Sequence, residues 1–309
     1  MKVAIVGSGS IGSLFGGYLT ESGVDVTLID KKHIVDTIKK HGLQIKGVKG
    51  EHRIKVKATY NPSEVGVVDL IMIIVKAYDT EQAIKDSSPL ISKNTWVMCL
   101  QNGLGNEEIA AKIVGKNRII RGVTTNGAML EKPGKIIHTG AGETIIGRCY
   151  KPNTSEVEDI ARIISESGLP TIVTQNISGV VWGKALVNSG INPLGALTGL
   201  KNGELLDIPE IVSSMRELVQ EGANVAKKIG IDLMFDPVEK TFEVARETAQ
   251  NKNSMLQDVE KGKRTEIDFL NGAIVNYGKR YGVPTPMNEL ITALIKGLEK
   301  RKEKGSRVM

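Results

Sequence analysis

Within its first dozen residues the chain commits to one kind of turn. Val3-Ala4-Ile5-Val6 is a short apolar run rich in β-branched residues. Gly7-Ser8-Gly9-Ser10-Ile11-Gly12 follows it without a gap and opens an amphipathic stretch running through Leu19. In that setting each glycine has a separate reason. Gly7 allows the tight turn, Gly9 lets a pyrophosphate come against bare backbone, and Gly12 lets the helix pack closely on the strand. The helix start then offers free N–H groups and a positive dipole end to the phosphates, with Ser8, Ser10 and Ile11 lining the same loop. The strand before and the helix after separate this from a merely glycine-rich turn, so a bound dinucleotide is expected here.

The rest of the first half continues the theme. Val24–Asp30, Leu70–Val75, Thr95–Leu100 and Arg118–Val123 read as further strands with helical patterns between them, which calls for right-handed crossovers and a parallel sheet covered on both faces. Ile136-Ile137-His138 and Thr144-Ile145-Ile146, on either side of Gly140-Ala141-Gly142, read as antiparallel additions at the edge of that sheet. From about Asn176 the texture changes. Ser178–Leu197, Glu210–Ile229, Pro237–Gln250, Glu266–Tyr281 and Asn288–Lys302 carry helical periodicity, and no convincing strand remains. The expected fold is α/β: an N-terminal Rossmann-like doubly wound sheet over residues 1–175 that binds the dinucleotide, and a C-terminal all-helical domain over residues 176–309 for substrate and catalysis. A length of 309 residues agrees with two domains at roughly 150 residues each.

Composition narrows the class. Hydrophobic residues at 40% and charged residues at 25% match globular proteins and argue against disordered, collagen-like or coiled-coil chains. The apolar stretch Val67–Val75 is broken by Asp69, and nothing approaches the roughly 20 apolar residues of a membrane helix. Without a signal-like apolar segment at Met1–Val6, a cytoplasmic location is expected. A net charge of +6 is too mild to imply nucleic acid, and the clusters Lys261–Arg264 and Lys296–Lys304 read as solvated helix ends, although an anionic small substrate is compatible. Cys99 and Cys149 have no zinc or disulfide spacing, and His33, His41, His52 and His138 none for a metal, so no metal site is expected.

Three more positions belong to the dinucleotide end. Asp30 closes the second strand 18 residues after Gly12, where a carboxylate accepts hydrogen bonds from ribose hydroxyls and repels a 2′-phosphate. Lys31 and Lys32 follow at once and suit a 2′-phosphate if Asp30 turns away. Val75-Lys76-Ala77 and Gln101-Asn102-Gly103 leave the carboxyl ends of strands, where open α/β sheets bind ligands, so both are expected to face the cofactor. Lys76 reads equally as a snorkelling surface lysine, and Asn102-Gly103 as a simple turn. In the second half, Lys184, Asn188 and Asn192 recur at i, i+4 and i+8 within apolar sequence and so share one helix face. Such a stripe must be exposed, hydrogen-bonded structurally, or waiting for a polar ligand. Pro193 is expected to kink the helix beside it.

Taken in order, Gly7/Gly9/Gly12, Val75-Lys76-Ala77, Gln101-Asn102-Gly103-Leu104-Gly105, Trp182-Gly183-Lys184 with Asn188 and Ile191-Asn192-Pro193, Asn202-Gly203-Glu204-Leu205, Asn251, Ser254-Met255-Leu256-Gln257-Asp258 and Thr265-Glu266-Ile267-Asp268 make the chain resemble the ketopantoate reductases. The match runs over nearly the whole chain. The resemblance implies NADPH-dependent reduction of 2-dehydropantoate to (R)-pantoate on the way to pantothenate and coenzyme A. It makes Lys184 the catalytic lysine and Glu266 the second catalytic residue, which also touches the cofactor. Asn188, Asn192, Ser254, Asn251 and Asn102 would contact the substrate, with Lys76 and Asn102 bordering the nicotinamide. The residue types suit the chemistry, since hydride arriving at a ketone carbon builds negative charge on oxygen, which an ammonium stabilises and then protonates. Glu266 also reads as a solvated residue opening the helix that follows.

The chain departs from the family in two places. Family members commonly carry a basic residue near the end of the second strand, whereas Asp30 precedes Lys31-Lys32 here, so NADP(H) and NAD(H) both stay open, with Asp30 leaning toward NADH. Asn253 stands where a second serine is frequent. Two other readings keep or change the class: a reductase of another 2-ketoacid or a 3-hydroxyacid dehydrogenase on the same fold, and a non-catalytic regulator that senses NAD(P). A homodimer is compatible with the helical half.

Overall fold

A computed structural model describes residues 1–305, and side chains up to Arg301. Lys302 and Lys304 of the second basic cluster therefore lie outside the described side chains. The chain divides into two compact units, Met1–Gln101 with Asn106–Ile177, and Asn102–Gly105 with the chain from Ser178 onward.

The first unit contains strands β1 (Lys2–Val6), β2 (Asp25–Ile29), β3 (Leu43–Gly47), β4 (Gly50–Ile54), β5 (Lys57–Thr59), β6 (Leu70–Ile73), β7 (Trp96–Cys99), β8 (Ile119–Thr124), β9 (Gly127–Lys132), β10 (Lys135–Gly140), β11 (Thr144–Arg148) and β12 (Thr171–Val173). Its helices are α1 (Ser10–Glu21), α2 (Lys32–His41), α3 (Thr80–Asp86), α4 (Asn106–Val114) and α5 (Ser155–Glu166). Eight strands form one sheet in the order β12-β11-β8-β7-β6-β1-β2-β5. The pairs from β8 through β5 are parallel, and β11 runs antiparallel to β8. Alternation along each central strand sorts its side chains onto two faces. Val3, Ile5, Leu70, Met72 and Met98 join Leu14, Phe15 and Ile160 from α1 and α5 on one side. Ala4, Val6, Ile71, Ile73, Val97 and Cys99 meet Ala83, Ile84 and Ala110 from α3 and α4 on the other. Burial on both faces explains why β6 and β7 read as unbroken apolar runs.

One expectation is corrected. Ile136–His138 does not extend the edge of the large sheet but lies in β10 of a separate four-stranded sheet, ordered β4-β3-β10-β9. Thr144–Ile146 does join the large sheet, as β11, with Thr171–Val173 parallel beyond it. The small sheet exists because Leu43, Ile45, Ile54 and Ile136 cover the side of α1 that shows Phe15, Tyr18 and Leu19.

The second unit carries α6 (Ile177–Thr198, opening one residue before the unit boundary), α7 (Pro209–Lys228), α8 (Pro237–Glu247), α9 (Ser254–Glu260), α10 (Asn271–Tyr281) and α11 (Pro286–Gly305). One helix is unexpected and one boundary differs from expectation. α9 is a seven-residue helix, too short to show a period. The expected helix from Glu266 begins instead at Asn271, because Glu266 precedes a 3-10 turn, Ile267–Phe269. No helix among the described residues is long and apolar enough to cross a membrane.

Candidate active site

In the first unit the glycine loop is built as its spacing requires. Gly7 has φ +98°, and a Cβ there would sit 2.8 Å from the Val75 nitrogen; one at Gly12 would collide with the Gly7 carbonyl oxygen. A Cβ at Gly9, the N-cap of α1, would meet no atom within 4 Å. Thus Gly7 and Gly12 serve internal packing, while Gly9 leaves bare backbone facing open space at the start of a helix with no acidic residue in its first turn. Ser8, Ser10 and Ile11 complete the loop; both donors of the buried Ser8 are taken by Asp30, contrary to its expected place at the phosphates, so the backbone N–H groups at the start of α1 are the donor set that fits a pyrophosphate. The close approach of Gly7 to Val75 sets Lys76, the N-cap of a 3-10 turn, beside the same strand ends.

Asp30 has a role that spacing did not reveal. Its Oδ2 accepts from the Ser8 backbone N–H (2.6 Å) and the Ser8 hydroxyl (2.7 Å), and its Oδ1 accepts from the Lys31 N–H (2.7 Å). The carboxylate braces the glycine loop. Lys32 pairs with Asp36 at 2.8 Å, whereas Lys31 is exposed and has no ion-pair partner among the described residues.

In the second unit, α6 presents the polar stripe. From Val181 to Ala196 every residue is buried except Lys184 and Asn188, which are half-buried, and Asn192 is the buried third member. The helix runs on through Pro193. Asn102, Asn192, Ser254, Met255, Asp258, Glu266 and Leu270 line a common crevice. Four of the sequence-predicted residues therefore converge, and each is placed by local structure. Ser254 opens α9, whose N-cap is Asn253: the Asn253 Oδ1 accepts from the Leu256 N–H at 2.9 Å. Asn and Ser cap helices about equally well, which accounts for Asn253 in a serine position. Asn102 is held because the Leu104 N–H donates to the Phe269 carbonyl at 2.8 Å, while Gly103, at φ +83°, lies where a Cβ would come 2.5 Å from that same oxygen. Glu266 is 8% exposed, and the preceding Thr265 N–H donates to Glu299 of α11 at 2.7 Å.

Lys184 and Asn188 share the α6 face with Asn192 but do not line this crevice, and Asn251 is an exposed residue of the turn on which Asn202 and Gly203 dock. Asp258 is the residue that sequence reasoning missed. It is 8% exposed and lines the crevice with Glu266, its only sequence signal being its place in the Ser254–Asp258 motif. A wider groove lined by Lys263, Arg264, Asp268, Lys296 and Lys300 holds none of the predicted residues, and Arg264 and Lys296 are both taken by Asp268 at 3.2 and 2.5 Å. Burial pushes the Asp268 carboxyl up, but those two cations outweigh it and hold it below the usual range. Among the described residues no three His, Cys, Asp or Glu side chains could hold a metal ion.

Comparison with known proteins agrees across the chain. Residues 3–150 match the family described as ketopantoate reductase PanE/ApbA, and residues 176–299 match its C-terminal part. The 2-dehydropantoate 2-reductase of Pyrococcus horikoshii is 42% identical over 300 residues, covering 97% of this chain and 98% of that protein. The PanE/ApbA family ketopantoate reductase of Ralstonia eutropha JMP134 superposes with a TM-score of 0.92 at 32% identity, over 98% of this chain and 100% of the other. A D-mandelate dehydrogenase solved with NADH and anilino(oxo)acetate gives 0.91 at 34% identity, over 98% and 99%. With both parts of the family pattern present in order and a relative this similar over nearly its full length, the chain belongs to the ketopantoate reductase family.

Proposed function

We propose that this enzyme is a 2-dehydropantoate 2-reductase, reducing the ketone of 2-dehydropantoate to the alcohol of (R)-pantoate with NADPH or NADH, a step toward pantothenate and coenzyme A. The observation that carries it is full-length similarity to proteins of that name, joined to a crevice where Asn102, Asn192, Ser254 and Glu266 meet. Reduced nicotinamide, when bound, supplies the hydride for the carbonyl carbon. Residues 1–175 act as its binding domain: within the Gly7–Gly12 loop the backbone from Gly9 to Gly12, with Ser10 and Ile11, takes the pyrophosphate, while Ser8 shapes the loop through Asp30. Asp30 and Lys31 face the ribose, and Lys76 borders the nicotinamide. Residues 176–309 act on the substrate. The Lys184 ammonium hydrogen-bonds the ketone oxygen and gives it a proton as negative charge develops there. Glu266 holds the substrate hydroxyl and orients Lys184, while Asn188, Asn192, Asn251, Ser254 and Asn102 fix the carboxylate end. Asp258, beside Glu266, adds a second buried carboxyl group to that wall.

A cytoplasmic location suits an enzyme that meets small metabolites. A homodimer is consistent with Leu290 and Leu294, one turn apart on α11 and 54% and 47% exposed. The test is loss of reduced-nicotinamide absorbance with ketopantoate, run in parallel with NADH and NADPH and repeated with Lys184→Ala. Rapid oxidation lost in the variant is the expected result. Cofactor that binds but is not consumed overturns the substrate assignment and directs the assay to other 2-ketoacids.

A further inference from the structure

Pro193 has no N–H, so the carbonyl of Ser189, four residues earlier in α6, receives no helical hydrogen bond from that position. The oxygen is not abandoned. Asn271, fully buried at the start of α10, donates from Nδ2 to the Ser189 oxygen at 3.0 Å and to the Asn288 Oδ1, also at 3.0 Å. Asn288 in turn donates from Nδ2 to the Leu218 carbonyl (3.0 Å) and to Glu221 Oε2 (2.7 Å). Glu221 also accepts the N–H groups of Met287 and Asn288 at the start of α11. The order of donors leaves neither amide free to flip: turning Asn271 over would set its oxygen against two acceptors. Its own Oδ1 has no hydrogen-bond partner among the described residues. An apolar side chain here would leave the buried Ser189 carbonyl and the Asn288 Oδ1 without their donor, so the two donated bonds are the reason for an amide.

Those bonds join two pieces of the crevice wall. Ser189 lies between Asn188 and Asn192 on α6, and Asn271 follows Glu266 and Leu270 at the end of the 3-10 turn. We propose that Asn271 is a positioning residue for the reduction. By taking over the carbonyl that Pro193 releases, it holds the Asn188–Asn192 segment in register with the Glu266 segment. This rests on the catalytic reading given above.

The test is Asn271→Asp, which keeps the shape but puts an oxygen against the Ser189 carbonyl. kcat for the 2-ketoacid should fall at least about tenfold while KM for the nicotinamide cofactor stays within about twofold. Pro193→Ala returns an N–H to Ser189 though not to Asn288 Oδ1, so in that background the same substitution should cost less, a non-additive pair. A folded Asn271→Asp protein with wild-type kcat, or equal losses in both backgrounds, overturns the proposal. If Asn271→Asp does not fold, Asn271→Ser carries the same comparison. Wild-type protein that reduces no 2-ketoacid sinks the catalytic reading instead. The positioning role is then decided by amide exchange over Asn188–Asn192, which should speed up about tenfold in the variant and stay unchanged with Pro193→Ala present; no acceleration overturns it.

Discussion

In the proposed mechanism Lys184 is the side chain on which the chemistry turns, and its substitution separates catalysis from binding. Lys184→Ala should lower kcat by about 10²- to 10⁴-fold, the usual range for a lost general acid, with the cofactor dissociation constant within about twofold of wild type. Fluorescence titration of the reduced cofactor checks the second half. Asp30 gives a different outcome, because its carboxylate holds Ser8 and, in the proposed site, also faces the ribose. Asp30→Ala should raise KM for both cofactors and shift preference toward NADPH by about tenfold, as expected from removing one like charge beside a 2′-phosphate. A change confined to NADH would show that the Ser8 brace contributes nothing. Residues of this kind were legible in sequence where a period or a glycine spacing exposed them, as with Lys184, Asn188 and Asn192. Asp258 and Asn271 were not, since what gives each its role is a neighbour far away in the chain.

At the scale of elements, the loop after β7 shows how a strand end of one unit furnishes part of the other. Asn102–Gly105 packs with the helical unit through Leu104 and Phe269, and Gly103 is the residue that permits it. Gly103→Ala forces a Cβ into the left-handed region and against the Phe269 oxygen, a strain of about 1–3 kcal/mol. The expected consequence is a lower kcat/KM for the ketoacid, measured by initial rates, with KM for the cofactor little changed. A rise confined to the cofactor KM would place Asn102 on the cofactor side alone. The small sheet escapes sequence reading because β3 alternates Leu43 and Ile45 with Gln44 and Lys46 over only five residues, and its parallel partner β10 lies about 90 residues on, with Lys135 opposite Gln44. The 3-10 turn after Glu266 reads as helix in the sequence because Ile267, Leu270 and Ile274 keep a helical spacing through it.

For the whole molecule, the joint between α1 and the small sheet sets how stability responds to pH. His138 is 1% exposed and sits between the Tyr18 hydroxyl (3.1 Å) and Asn126 Oδ1 (3.3 Å). Burial, and then the nearby Lys49, lower its pKa below the ordinary 6.5. A histidine kept neutral in the fold binds its proton more readily when unfolded. Its contribution is therefore intact above pH 6.5 and is lost as pH falls through the lower folded value. His52 works in the opposite sense, since its bonds to Lys49 and Glu21 raise its pKa. Denaturant unfolding should show stability dropping as pH falls below about 6.5, and the drop should flatten in His138→Gln. A curve left unchanged by that substitution would assign the acid lability elsewhere. The residues and their order were enough to determine the strand–glycine–helix opening, the change from alternating to helical texture near Asn176 and the polar stripe on α6, because these depend on periods and spacings within a few turns of chain. Only the tertiary structure decided that Asn102 meets Ser254 and Glu266, that Asp30 braces Ser8, and that Asn271 answers the carbonyl left open by Pro193. Each of those is a contact between distant segments, set by packing that no local pattern encodes.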